Sequence, residues 1–96
     1  MDRDTVLELL AAHKDELAAR YGVVSLALFG STARNTAHDS SDVDVLIGFD
    51  GPATSNRYFG VQFYLEDLLC RPVDLVTTKA LRPEFRQQVE AEALHV

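Results

Sequence analysis

Three aspartates and one glycine-serine pair are the residues whose types and spacing point to chemistry. Gly30-Ser31 closes the apolar run Val23-Val24-Ser25-Leu26-Ala27-Leu28-Phe29, and ten residues separate Ser31 from Asp42-Val43-Asp44, which opens a second run, Val45-Leu46-Ile47. Asp74 sits inside a third, Val73-Asp74-Leu75-Val76. Such runs read as buried strands, where an acid is costly unless something cationic pairs with it. Residues two apart on a strand share a face, so Asp42 and Asp44 are expected to point together while Val43 and Val45 enter the opposite layer. Asp74 joins them if its strand lies alongside. Converging carboxylates repel one another without a cation. Hard oxygen ligands suit Mg²⁺ or Mn²⁺, which keep waters and take further ligands from substrate phosphates. Two such ions stabilise both the attacking and the leaving oxygen of a phosphoryl displacement. The plainer alternative makes Asp42 a turn cap and Asp44 a solvated edge residue. The apolar run after Asp44 and the fixed distance from Gly30-Ser31 favour the site.

Glycine allows close backbone approach to a ligand, and a helix start after it offers N–H groups to phosphate oxygens. No Walker lysine follows Gly30, which excludes a P-loop, and no G-x-S-x-G elbow surrounds Ser31, which argues against an acyl nucleophile. In haloacid-dehalogenase phosphatases and many sugar-nucleotide transferases the apolar strand precedes the first aspartate. Here His38-Asp39-Ser40-Ser41 precedes Asp42 and the apolar run follows, which argues against both.

The elements that must hold these residues follow from pattern. Residues 2–20 read as an amphipathic helix with Val6, Leu10, Leu17 and Tyr21 on one face and Leu9 and Ala18 beside them. Asp2, or a Thr5/Glu8 capping box, starts it and Gly22 stops it. Residues 23–29 form a strand that is central or covered on both faces. Ser31 to Arg34 make a short helical turn closed by Asn35, and Thr36 to Ser41 a polar loop. A second strand spans 42–48. A helix over 55–69 packs through Phe59, Phe63, Leu65, Leu68 and Leu69, with Gly60 weakening it. A third strand covers 73–77 after Pro72. A last helix covers 81–94, with Leu81, Phe85, Val89 and Leu94 on its buried side. The order is α-β-(α)-β-α-β-α, within one domain spanning residues 1–96.

The bulk composition narrows the partners. With 96 residues, 47% apolar and 25% charged, the chain is an ordinary globular domain. Its net charge of −6 makes it a poor generic binder of nucleic acid or anionic membrane and suits a basic partner. One cysteine, Cys70, excludes an internal disulfide and fits a reducing compartment. No apolar stretch approaches a membrane span and the charged N-terminus is not a signal peptide, so a cytoplasmic location is expected.

Taken together, Leu28-Phe29-Gly30-Ser31-Thr32-Ala33-Arg34, Ser41-Asp42-Val43-Asp44-Val45-Leu46 and the stretch from Leu65 to Val76 resemble the minimal nucleotidyltransferases (the MNT family) of the DNA polymerase β superfamily. The likeness runs on to Glu92-Ala93-Leu94-His95-Val96. Asn35 stands where the family often has glycine after the arginine, and Cys70 where glycine often precedes the third strand. The resemblance implies an α/β (α+β) fold, a small mixed sheet with helices packed on it. It implies transfer of AMP from ATP, with two Mg²⁺ ions, to a tyrosine hydroxyl of a HEPN-domain ribonuclease toxin, for which the chain is the antitoxin. By the same resemblance Gly30 and Ser31 hold the triphosphate. Asp42 and Asp44 ligate both metals. Asp74 completes the catalytic metal site and helps deprotonate the acceptor.

Arg34 contacts phosphate or pairs with a nearby carboxylate; both readings stand. His13, His38 and His95 do not suggest a common site. Lys79, Arg82 and Arg86 read as a solvated face before they read as nucleotide contacts. Tyr58, Phe59, Phe63 and Tyr64 read as core or partner interface. Cys70 reads as inert packing. A chain used up by its catalytic core leaves the acceptor to bring its own docking surface, which favours a protein over an antibiotic or other small molecule. The rival from another class is a non-catalytic antitoxin that neutralises its toxin by direct binding.

Overall fold

A computed structural model describes residues 2–34 and 42–96. The expected turn at Asn35 and the loop from Thr36 to Ser41 lie outside the described residues. The elements are α1 (Arg3–Tyr21), β1 (Val23–Phe29), α2 (Gly30–Ala33), β2 (Val43–Phe49), α3 (Ser55–Leu69), β3 (Val73–Thr77), α4 (Pro83–Glu92) and β4 (Leu94–His95). Asp2, not a Thr5/Glu8 box, caps α1: its carboxylate accepts from Thr5 N–H at 2.8 Å. Gly22, at φ 75°, closes it.

The sheet runs β3-β2-β1-β4. β1 pairs antiparallel with β2 and β4, whereas β2 and β3 are parallel. The mixed sheet matches the expected α+β class. β1 is interior to the sheet, as its apolar sequence requires, and an irregularity between Val23 and Ser25 leaves Val24 turned out to solvent.

The main core lies on one face of this sheet. Val43, Val45, Ile47, Val73 and Leu75 alternate inward from β2 and β3, with Leu26 and Leu28 of β1, against Val6, Leu10 and Leu17 of α1 and Val61, Leu65 and Leu69 of α3. Gly60 lets α3 pack against the end of α1: a Cβ there would collide with the Tyr21 ring. The same helix pair is tied by Tyr64, whose hydroxyl donates to Glu16 and lies 2.7 Å from His13 Nδ1.

Several expected packing positions are corrected. Phe59 and Phe63 are exposed, stacked on each other along the outside of α3; the buried stripe is Val61, Leu65 and Leu69. Both sets repeat at four-residue spacing, and packing on the sheet selects the second phase. Ala18 is exposed. The last helix ends at Glu92 and buries no residue; Phe85 is exposed, and Leu94 belongs to β4. That short strand pairs with Leu28 and Ala27, covering an edge β1 would otherwise leave open. Among the described residues no helix is long and apolar enough to cross a membrane.

Candidate active site

β2 and β3 set the position of the acids. Their parallel register places Asp44 directly opposite Asp74, between the buried pairs Val43–Val73 and Val45–Leu75. Alternation then puts both carboxylates on the sheet face away from the main core. Asp42 stands one residue before β2 and is exposed. Burial, first of all, pushes the Asp44 carboxyl up to about 6. The negative charge of Asp74, a hydrogen bond with Asp74 and the charge of Asp42 add to this, and the Arg34 guanidinium opposes it. The acids thus interact as the sequence suggested, with Asp44 and Asp74 as the close pair.

Among the described residues no three acidic, histidine or cysteine side chains gather as a ready metal cage. Asp42 acts on Asp44 through its charge. The donor set nonetheless fits a hard divalent cation: oxygen ligands only, one of them half-buried and held against its ionised form first by burial and then by like charge.

The glycine-serine turn closes on the same point. Phe29, the last residue of β1, pairs with Asp44. The chain then turns through Gly30 at φ 71°, a left-handed conformation that favours glycine. A Cβ on Gly30 would collide with Asp44 Oδ2 and lie 2.9 Å from Asp44 Cγ. Backbone and carboxylate therefore share a cradle that only glycine leaves open. Ser31 and Thr32 follow in α2, and Thr32 Oγ1 is buried without a hydrogen-bond partner among the described residues. Arg34 ends the turn, its N–H donating to Gly30 O at 3.1 Å. Its side chain pairs with Glu92 Oε2 at 3.1 Å, which realises the carboxylate alternative in this structure.

Three α3 side chains hold β3 in place: Gln62 and Glu66, which the sequence did not single out, and Tyr58, which it offered only as core or partner interface. β3 lies at the sheet edge, so its outward backbone groups need partners. Glu66 Oε2 accepts from Val73 N–H at 3.0 Å, Gln62 Nε2 donates to Val73 O at 3.3 Å, and the Tyr58 hydroxyl donates to Leu75 O at 2.6 Å. These bonds bracket Asp74. Their sequence signal is faint: polar residues at 58, 62 and 66 recur every four positions along one helix face.

The remaining candidates fall away from the acids. His13 is engaged with Tyr64 and His95 is exposed on β4; His38 lies outside the described residues. Lys79 lines a small pocket with Ile47, Phe49, Thr77 and Thr78, at the opposite ends of β2 and β3 from Asp44 and Asp74. Arg86 donates to Thr78 O at 3.3 Å. Cys70 is exposed rather than packed.

Comparison with known proteins agrees with this geometry. The family model described as "Nucleotidyltransferase domain" matches residues 10–96. The chain is 36% identical over 92–93 residues to relatives that include protein adenylyltransferase MntA of Thermococcus cleftensis, a match covering 97% of this chain and 94% of that protein. A solved structure assigned as a minimal nucleotidyltransferase superposes with a TM-score of 0.84 at 37% identity, covering 98% of this chain and 95% of the other. The MNT antitoxin complex with the tri-AMPylated HEPN toxin of Shewanella oneidensis yields a TM-score of 0.61 at 18% identity, over 97% of this chain and 66% of that one, a likeness of fold. A glycine turn against paired aspartates on a mixed sheet, a family model that spans nearly the whole chain, and relatives matched end to end place this chain among the minimal nucleotidyltransferases of the nucleotidyltransferase domain family.

Proposed function

We propose that the chain is an antitoxin that transfers AMP from ATP to a tyrosine hydroxyl of a cognate HEPN ribonuclease toxin. The observation that carries this reading is the Asp44–Asp74 pair, opposed across β2 and β3 and abutting the Gly30 backbone. Two names support it: the Thermococcus cleftensis relative is called a protein adenylyltransferase, and the Shewanella oneidensis complex contains an AMPylated HEPN toxin with its MNT antitoxin.

In this reading the Gly30-Ser31 turn and Arg34 hold the triphosphate. Asp42, Asp44 and Asp74 would hold one or two Mg²⁺ ions, which when bound offset the charge of the triphosphate and of the departing pyrophosphate. The tyrosine oxygen attacks the α-phosphorus, forming a new O–P bond. The bond from the α-phosphorus to the bridging oxygen breaks, and pyrophosphate leaves with the electron pair. Asp74, which is exposed on β3, would take the tyrosine proton.

Purified chain, ATP, Mg²⁺ and its cognate HEPN toxin are expected to yield toxin heavier by one or more AMP units in intact-mass measurement. Asp42→Asn combined with Asp44→Asn is expected to abolish the mass shift while leaving the two proteins able to bind. An unmodified toxin with the wild-type chain would refute the reading.

A further inference from the structure

Arg34 and Glu92 are the two ends of a bridge between the glycine-serine turn and the C-terminal end of α4. Both ends are anchored to the same strand. Arg34 lies five residues beyond Phe29, the end of β1, and its backbone N–H bonds Gly30 O. Glu92 lies two residues before Leu94, which pairs with Leu28 of β1, and Ala93 N–H bonds Val89 O at 2.9 Å. Between them, α2 and α4 pack side by side. The guanidinium Nη1 meets Glu92 Oε2 at 3.1 Å, and its positive charge acts on Asp44. Arg34 therefore pairs with the acid of α4 while its charge is felt by Asp44.

We propose that Glu92 is a positioning residue: it holds the Arg34 guanidinium in the orientation that meets the triphosphate. This rests on the reading of the Gly30–Arg34 turn as the triphosphate site. The physical case is one of pre-organisation. A free arginine has many rotamers and loses them when it clamps a phosphate. A guanidinium has five N–H donors, and Glu92 accepts from one at its edge, so the tether is compatible with phosphate contact through others. The side chains are 52% and 33% exposed, so the pair adds little to folding stability. Its effect belongs to nucleotide binding.

The test is a double-mutant cycle on ATP affinity with Mg²⁺, by titration calorimetry, with melting temperatures of the nucleotide-free proteins alongside. Glu92→Ala is expected to weaken ATP binding about three- to tenfold, the scale of freeing one rotamer-rich side chain. Glu92→Gln keeps an acceptor oxygen and is expected to lose less. In an Arg34→Ala background, Glu92→Ala is expected to cost nothing further, and the melting temperatures are expected to move little. An equal loss from Glu92→Ala in both backgrounds, or unchanged or tighter ATP binding by Glu92→Ala alone, would overturn the proposal. A wild-type chain that binds no ATP would overturn the triphosphate site itself and this proposal with it, a result distinct from normal binding that ignores Glu92.

Discussion

Asp44 and Asp74 face each other across the parallel β2–β3 register, and Gly30 lies so close to Asp44 that no side chain fits between them. Three separate segments thus converge on one carboxylate. Neighbours on the same strands, Val45 and Leu75, are buried on the opposite face. The core fixes the strands, and the strands fix the acids. Like charge at this point works against the fold and in favour of a cation, and the first expectation follows from that tension.

The Asp44 carboxyl is raised from 3.8 to about 6 in the folded chain, chiefly by burial. Between those values the folded state binds more protons than the unfolded state. This group's contribution to stability therefore falls as pH rises through that window and is flat above it. Asp44→Asn is expected to remove that slope and to leave the nucleotide-free protein as stable at neutral pH or more stable, by about 1 kcal/mol once partial solvation is allowed for. Melting curves across the window, with and without Mg²⁺ and ATP, measure both effects. The variant is also expected to lose the ligand-induced rise in melting temperature. A wild-type-sized ligand shift in the variant would remove Asp44 from the site.

Gly30→Ala places a methyl group against Asp44 in a left-handed backbone conformation. A stability loss of about 1–2 kcal/mol is expected from the backbone alone. ATP affinity is expected to fall by a larger factor than that loss explains. Calorimetry showing unchanged affinity would make the turn purely structural.

Cys70 closes α3 at φ 55°, the single non-glycine residue with positive φ among the described residues. Cys70→Gly is expected to relieve this strain and stabilise the chain by about 0.5–1 kcal/mol, the left-handed penalty less the entropy glycine costs. Urea denaturation reads the change. A lower midpoint would show that the cysteine side chain contributes more than its backbone costs.

Glu66→Ala removes the acceptor for Val73 N–H at the sheet edge, next to Asp74. A loss of about 1–2 kcal/mol is expected, together with slower AMP transfer at saturating ATP. Tyr58→Phe, which loses the bond to Leu75 O one residue beyond Asp74, is expected to cost about 1 kcal/mol. Steady-state kinetics on both variants separate the two roles: unchanged turnover in each would confine the edge clamp to folding.

Much of this architecture can be read in the chain before folding. The runs 23–29 and 73–77 match β1 and β3, and 55–69 matches α3, because Gly22, Pro72 and the apolar spacing punctuate them locally. The β2 strand starts one residue later than its pattern, leaving Asp42 just outside it. What the sequence conceals is long-range. Two apolar phases compete on α3, and only contact with the sheet decides that Phe59 and Phe63 face outward. Leu94 continues a helical spacing, yet the open edge of β1 takes it as strand. The bond of Arg34 to Glu92 joins residues 58 apart, which no local period reveals. The meeting of Asp44 and Asp74 is legible because each stands inside an apolar strand run, yet only Asp44 is partly buried while Asp42 and Asp74 are exposed; the α3 side chains that hold β3 in place carry no such local mark.

Stoichiometry separates catalysis from contact. The measurement is residual ribonuclease activity of the HEPN toxin after incubation with ATP, Mg²⁺ and a small substoichiometric amount of this chain. A transferase turns over, so the whole toxin pool is expected to be silenced, with the Asp42→Asn, Asp44→Asn double variant silencing none of the excess. Inhibition that stops at the molar amount of chain added, equally with the double variant and without ATP, would contradict the account and leave a protein that works by binding alone.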